Sequence, residues 1–386
     1  MNRVPGATGV AVLFVLATLA ACGAGGGGDG SAAAPSPENF TAAALPPGNV
    51  AGFAYVANQG SDNVSAYAID ATTGVLSEVA GSPFAAGTSP ESVRVDPSGK
   101  FAYVTNFGSA IASGNVSAYT IDASTGALSE VAGSPFAAGT QPVSVAVAPS
   151  GRFAYVANNV SGDISAYRVD ATTGALSSIG AAVAAGFRPT SITVDPTGRF
   201  AYVANFIGDF SGNVSAYSID AGTGALSEVA GSPFAAGLDP QSVTVDPTGR
   251  FAYVANRQSA DVSAYTIDAG TGALSEIAGS PFAGGIQLFV DPSGKFAYVA
   301  TGSSVSAHTL DATTGALTGI GAFAAGASPY AVTVEPSGKF AYVANRGGNN
   351  ISAYTIDPVT GVLTSVGAAV AAGTRPTSIT TTRKIQ

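Results

Sequence analysis

The sequence predicts an all-β chain: a seven-bladed β-propeller with four antiparallel strands per blade, closed by a C-terminal strand that completes the first blade. Three observations carry this expectation. Phe-Ala-Tyr-Val recurs, starting at Phe53, Phe101, Phe153, Phe200, Phe251, Phe296 and Phe340. Each interval of 44–52 residues holds four short β-branched or aromatic runs separated by Gly- and Pro-containing turns, which is the period and content of a propeller blade. The repeats are also offset at the ends. The first unit has no Ser-Val-x-Val run before Phe53, whereas the last such run, Ser378-Ile379-Thr380-Thr381, has no Phe-Ala-Tyr-Val after it. Placing residues 376–382 in the first blade closes the ring and removes the open sheet edges that invite aggregation.

The unit from 92 to 139 shows how each element arises. Ser92-Val93-Arg94-Val95 is a short innermost strand. Asp96-Pro97-Ser98-Gly99 turns the chain, with Pro fixing φ and Gly free to take positive φ. Phe101 to Thr105 is the second strand, and Val116 to Ile121 the third. Asp122-Ala123-Ser124-Thr125-Gly126 turns again into a fourth strand at Ala127 to Val131. No segment keeps apolar residues at i, i+3, i+4 and i+7, so a helical solenoid is excluded. Apolar residues on both faces of each strand suit sheets packed between two neighbours. Blade six departs most from the pattern: Ile286-Gln287-Leu288-Phe289-Val290 lacks the Pro-x-Ser lead-in, and Thr301–Ser304 is the shortest loop of its kind.

Ahead of the repeats lie an expected signal peptide (1–21) and tether (22–52), leaving 53–386 for the propeller. Val10 to Leu19 is too short to span a bilayer as a helix. It ends in Leu19-Ala20-Ala21-Cys22, which resembles the lipobox of bacterial lipoproteins. That resemblance implies cleavage before Cys22, lipidation of this single thiol, and attachment to the membrane through the lipid. Gly23 follows rather than Asp, which points to the outer membrane or cell surface. Residues 23–52 are rich in Gly, Ala, Ser and Pro, the composition of a flexible linker.

Tyr103-Val104-Thr105-Asn106 spells YVTN, and Tyr-Val-Ala-Asn recurs in five other units. With the Asp-Pro-Ser/Thr-Gly-Lys/Arg and Asp-x-x-Thr-Gly-x-Leu turns, residues 53–382 resemble the YVTN-repeat and lactonase-type seven-bladed propellers. That family includes cytoplasmic 6-phosphogluconolactonases. The resemblance implies the fold strongly and a lactone-hydrolysing activity as one option.

Composition narrows the chemistry. A net charge of −9 leaves no electrostatic footprint for nucleic acid. One Cys and one His exclude a disulfide framework and a Cys/His zinc site. No Gly-x-Ser-x-Gly elbow is present, and His308 replaces the Tyr of the third strand, a packing position. The template turns share one face, called the bottom. They carry Lys100, Arg152, Arg199, Arg250, Lys295 and Lys339 beside Asp70, Asp122, Asp170, Asp220, Asp268, Asp311 and Asp357, which reads as turn chemistry and a solvated charge ring.

The variable loops share the top. Arg188, Arg257, Arg346 and Arg375 lie there with Glu91, Asp239 and Gln241, and Arg94 sits in an innermost strand facing the channel. Such a ring suits a small anionic or sugar-like ligand. Glu91 and Asp239 are the candidate catalytic bases. No loop has full metal-ligand spacing, although Asp62, Asp163, Asp209 and Asp261 offer oxygens for Ca²⁺. The expectation is therefore an envelope-anchored ligand-binding or protein-interaction module, whose partner is the small ligand or an envelope protein. A lactone hydrolase and a structural cell-surface repeat are the alternatives.

Overall fold

The computed structural model describes residues 49–108, 113–208 and 211–383. These form seven antiparallel sheets and no helix, each blade running inner, second, third and outer strand. Blade two is representative: Pro90–Val95, Phe101–Asn106, Ser113–Ile121, then an outer strand in two pieces, Leu128–Glu130 and Phe136–Thr140. The outer strand is split in this way in six blades. In blade six it runs unbroken from Leu317 to Phe323.

Ring closure is as the sequence predicts. Pro376–Thr381 pairs with the second strand of blade one, Val50–Asn58. That second strand begins at Val50, three residues ahead of the expected boundary at Phe53. Val50 pairs with Asp70, and a bulge follows before Gly52. The signal segment and Cys22 lie outside the described residues.

The recurring motifs are the joints between blades. The Tyr of Phe-Ala-Tyr-Val donates its hydroxyl hydrogen to the carbonyl of the Gly in the next blade's Asp-x-x-Thr-Gly turn. Tyr55 bonds Gly126 O at 2.9 Å, Tyr155 bonds Gly224 O at 2.9 Å, and Tyr342 bonds Gly74 O at 2.9 Å across the closure. The Phe of the same motif lies against that glycine. Gly126 has φ +76°, and a Cβ there would stand 2.3 Å from the Phe53 ring, so both conformation and space demand glycine. The third-strand Tyr reaches the other way. Tyr119 donates to Ala85 O of blade one at 2.7 Å, and Tyr354 to Ala324 O of blade six at 2.6 Å. Burial raises the pKa of these phenols, so they stay protonated donors.

The Asn that ends YVTN ties the top of six blades. Asn106 is buried; its amide donates to Asn115 Oδ1 (2.7 Å) and Ser117 Oγ (2.9 Å), and its Oδ1 accepts from Gly87 N (3.1 Å). On the bottom, Asp122 Oδ1 accepts from Ser124 Oγ and from the backbone N–H and hydroxyl of Thr125, and these bonds hold its pKa well below the usual carboxylate range. Arg152, Arg199 and Arg250 each donate to a carbonyl of the next blade's turn. Asp122 serves its own turn, and these arginines join neighbouring blades. His308 is buried between blades with Ser306 Oγ 3.0 Å from its Nε2, and burial lowers its pKa.

Candidate functional site

The top of each blade presents side chains by one repeated device. In six blades the residue before the inner-strand Pro adopts a left-handed backbone: Ser89, Gln141, Arg188, Asp239, Ser328 and Arg375 have φ of 49–58°. This region costs a non-glycine residue on the order of 1–2 kcal/mol. Each of these residues accepts, through its carbonyl, the backbone N–H of the residue that follows the motif Asn. The bonds run from Phe107 to Ser89, Asn159 to Gln141, Phe206 to Arg188, Arg257 to Asp239, Arg346 to Ser328 and Gln59 to Arg375. Two variable positions therefore face each other across each of these six hairpin tops.

The residue after the Pro is a β-bulge. In blade two Pro90 pairs with Asn106 and Ser92 with Thr105, so Glu91 has no partner in the ladder. The same shift frees Val143, Thr190, Gln241, Tyr330 and Thr377. A bulge re-aims the side chain it frees, and all six line a central cavity of about 420 Å³ on the top face. Blade six has neither Pro nor bulge; Ile286 and Gln287 fill the gap. Gln287 Oε1 accepts from Val332 N at 2.7 Å. In other blades a Ser Oγ makes this inter-blade bond, as Ser144 does to Ile192 N.

The cavity collects most of the residues singled out in the sequence. Glu91, Arg94, Arg188, Asp239, Gln241 and Arg257 line it. Arg94 also lines a second cavity of about 260 Å³ further along the channel, so the two share this residue. Arg346 and Arg375 are not in the lining. Arg346 stacks 5.0 Å from the Tyr330 ring centroid and donates to Gln59 Oε1 at 2.8 Å. Gln59 in turn donates to Glu91 Oε1.

The two candidate bases differ sharply. Asp239 is buried and already committed: Arg257 holds one oxygen through Nε (2.8 Å) and Nη2 (2.7 Å), and Gln241 Nε2 holds the other at 2.7 Å. Glu91 is half-buried, and desolvation pushes its pKa up to about 7 despite the opposing influence of Arg346, Gln59 and Arg375. A carboxylate poised near neutrality in a cleft is the profile of a general base. Tyr330 has its pKa raised by burial, with Glu91, Arg346, Arg257 and Asp239 all acting on it. It therefore sits between the two charged clusters as a protonated donor.

Sequence reading alone passed over Tyr330 and Gln59. The signal was available in the repeat register: Tyr330 follows its Pro as Glu91 and Gln241 do, and Gln59 follows its Asn as Arg257 does.

The Ca²⁺ candidates have other work. Asp62 Oδ1 accepts from Ser89 N, and Asp163 and Asp261 accept from the amides of Asn158 and Asn256. Asp209 is outside the described residues. Among the described residues, no three His, Cys, Asp or Glu side chains are grouped to hold a metal ion.

The family described as "Lactonase, 7-bladed beta-propeller" matches residues 33–145, 80–188, 134–237, 186–287 and 287–384. The chain belongs to this lactonase family. No curated protein matches it. Among solved structures, a candidate 6-phosphogluconolactonase from Bacteroides uniformis superposes with a TM-score of 0.74 at 18% identity, over 85% of this chain and 98% of that one. A second candidate 6-phosphogluconolactonase, from Bacteroides fragilis, gives 0.73 at 21%, over 85% and 97%. The periplasmic gluconolactonase of Pseudomonas aeruginosa gives 0.71 at 19%, over 86% and 98%. At these identities the likeness is one of fold. Within this lactonase-family propeller, the bulge ring is what distinguishes the top face from the repetitive bottom.

Proposed function

We propose that the top cavity binds and hydrolyses a lactone, with Glu91 as general base. One observation carries the reading: a carboxylate with a pKa near 7 lies in a cleft beside protonated Tyr330 and several guanidinium groups. Ionised Glu91 takes a proton from a water, whose oxygen adds to the lactone carbonyl carbon. Negative charge then develops on the carbonyl oxygen, and Tyr330 and the arginines supply donors and positive charge for it. When the ring C–O bond breaks, the departing alkoxide takes the proton back from Glu91, giving the open hydroxy acid.

With Asp239 paired to Arg257, the remaining lining charges are Arg94 and Arg188 against Glu91. The mouth is thus cationic in a chain of net charge −9, which favours anionic or polyhydroxylated rings. The Bacteroides and Pseudomonas neighbours, with names that point to sugar lactones, support the same substrate class. The test is hydrolysis of a panel of sugar and simple lactones by the purified chain, followed by pH titration. Turnover well above buffer is expected; a well-folded protein with none would leave the cavity as a binding site only.

We also propose export and lipid anchoring at Cys22, supported by the Leu-Ala-Ala-Cys sequence. Cells fed a radiolabelled fatty acid should label the wild-type chain and not Cys22→Ser. Equal labelling of both, or of neither, overturns it.

A further inference from the structure

The seven blades provide an internal control for the rim of the cavity. Two residues before the inner-strand Pro stand Thr88, Thr140, Ala327 and Thr374 in blades two, three, seven and one. The same place in blades four and five holds Phe187 and Leu238. Two residues after the motif Asn stand Gly60, Gly108 and Gly347 in blades one, two and seven, but Val160 and Ile207 in blades three and four. Blade five has the polar Gln258 at this second place. The four large apolar residues fall on consecutive blades and are 41–59% exposed. Burial of a core does not require them, since small or polar residues serve at the same positions elsewhere in the ring.

Each also adjoins a cavity-lining residue in the chain: Asn159, Arg188, Phe206 or Asp239. Phe187 precedes Arg188, whose guanidinium lies 5.7 Å from the Phe206 ring, and Ile207 follows Phe206. Leu238 O accepts from Gln258 N at 3.2 Å, and Phe206, Arg188 and Gln258 all line the cavity. Opposite this arc, around blades one, two and seven, the wall residues Glu91 and Tyr330 are backed by polar Gln59 and Arg346.

We infer that the ligand is amphipathic: its lactone or carboxylate head meets the Glu91 wall, and an alkyl or aryl substituent lies across Phe187, Leu238, Val160 and Ile207. The head assignment rests on the lactone reading; the apolar arc does not. Charge points to a single small occupant, because Arg188 stands inside the arc and gives an anionic head a cation next to the apolar contact.

Two measurements on the purified chain separate the claims. Hydrolysis of δ-decalactone is compared with δ-valerolactone, which lacks the pentyl group. Calorimetric binding of the ring-opened 5-hydroxydecanoate is compared with 5-hydroxyvalerate, which needs no turnover. The pentyl group should raise kcat/KM and affinity by at least about tenfold, since each buried methylene is worth roughly 0.8 kcal/mol. In Phe187→Thr/Leu238→Thr, which installs the residue of the other blades, both ratios should fall to within about threefold of unity. Val359→Thr, on an 84% exposed bottom turn, should leave both ratios unchanged. If no lactone is hydrolysed yet 5-hydroxydecanoate binds preferentially and the rim variant abolishes the preference, the lactone reading fails and the amphipathic site stands. If lactones are hydrolysed with no preference for the pentyl group, the reverse holds. If the rim variant only converts a dimer to a monomer, the arc is a contact between copies and the inference is overturned.

Discussion

Replacing Glu91 by Gln is expected to lower kcat for lactone hydrolysis by about 10²- to 10⁴-fold, the usual worth of a general base. Gln keeps the size and can still bond Gln59, so the bulge and the cavity should persist. The wild-type pH profile should rise as Glu91 ionises, with an apparent pKa near 7, and this limb should vanish in the variant. Stability should move in the opposite direction. In the folded chain the pKa of Glu91 is raised from 4.5 to about 7, so the stability that its protonated form contributes is present below about pH 4.5. It is lost as pH climbs through about 7. Glu91→Gln does not titrate, so its Tm relative to wild type should improve between those limits and level off above them. A variant with unchanged kcat, or a Tm difference that is flat with pH, would remove Glu91 from the mechanism. By contrast Asp239→Asn should act chiefly through the Arg257 pair, leaving the pH limb in place.

The largest structural effect should come from ending the chain at Gly373. This removes the inner strand of blade one, Pro376–Thr381, which pairs with Ala54–Asn58. It also removes Thr377 Oγ1, which bonds Pro90 O at 3.2 Å, and Ser378 Oγ, which accepts from Val93 N at 3.2 Å. Blade two would then face an open sheet edge, and a bare edge is a template for association. The shortened chain should aggregate and lose its cooperative thermal transition. Moving residues 374–383 ahead of Val50 through a short Gly/Ser linker should restore it, because the ring can be closed from either side. A shortened chain that melts within about 2 °C of wild type would show that closure is dispensable.

Fold and site were not equally legible in the sequence. Blade number, closure and the roles of the turns are written in residues whose backbone chemistry is local: Asp-Pro-Ser-Gly turns, Asp side chains that cap their own turns, glycines with positive φ. Each blade states them again, so a single reading is checked against its copies. The arginines of the top face were legible because basic residues are scarce here. Tyr330 was not, because a Tyr in a strand is ordinarily core, and the fully buried Tyr298 and Tyr342 flank it in the sequence. What sets it apart is a one-residue slip in pairing, which depends on the partner strand. The separate fates of Glu91 and Asp239 were equally hidden. Both are acids next to an inner-strand Pro, but Asp239 precedes its Pro and faces Arg257 across the hairpin, whereas Glu91 follows its Pro on the bulge.

The position of Val50 decides the face at which the chain enters the propeller. Second strands run from the bottom face upward, and Asn49, just ahead of the first of them, bonds Asp70 of a bottom turn. The last inner strand descends to the same face, ending at Thr381. A leash to a surface, a fused domain or an immobilising tag joined at either end therefore departs from the side away from the cavity.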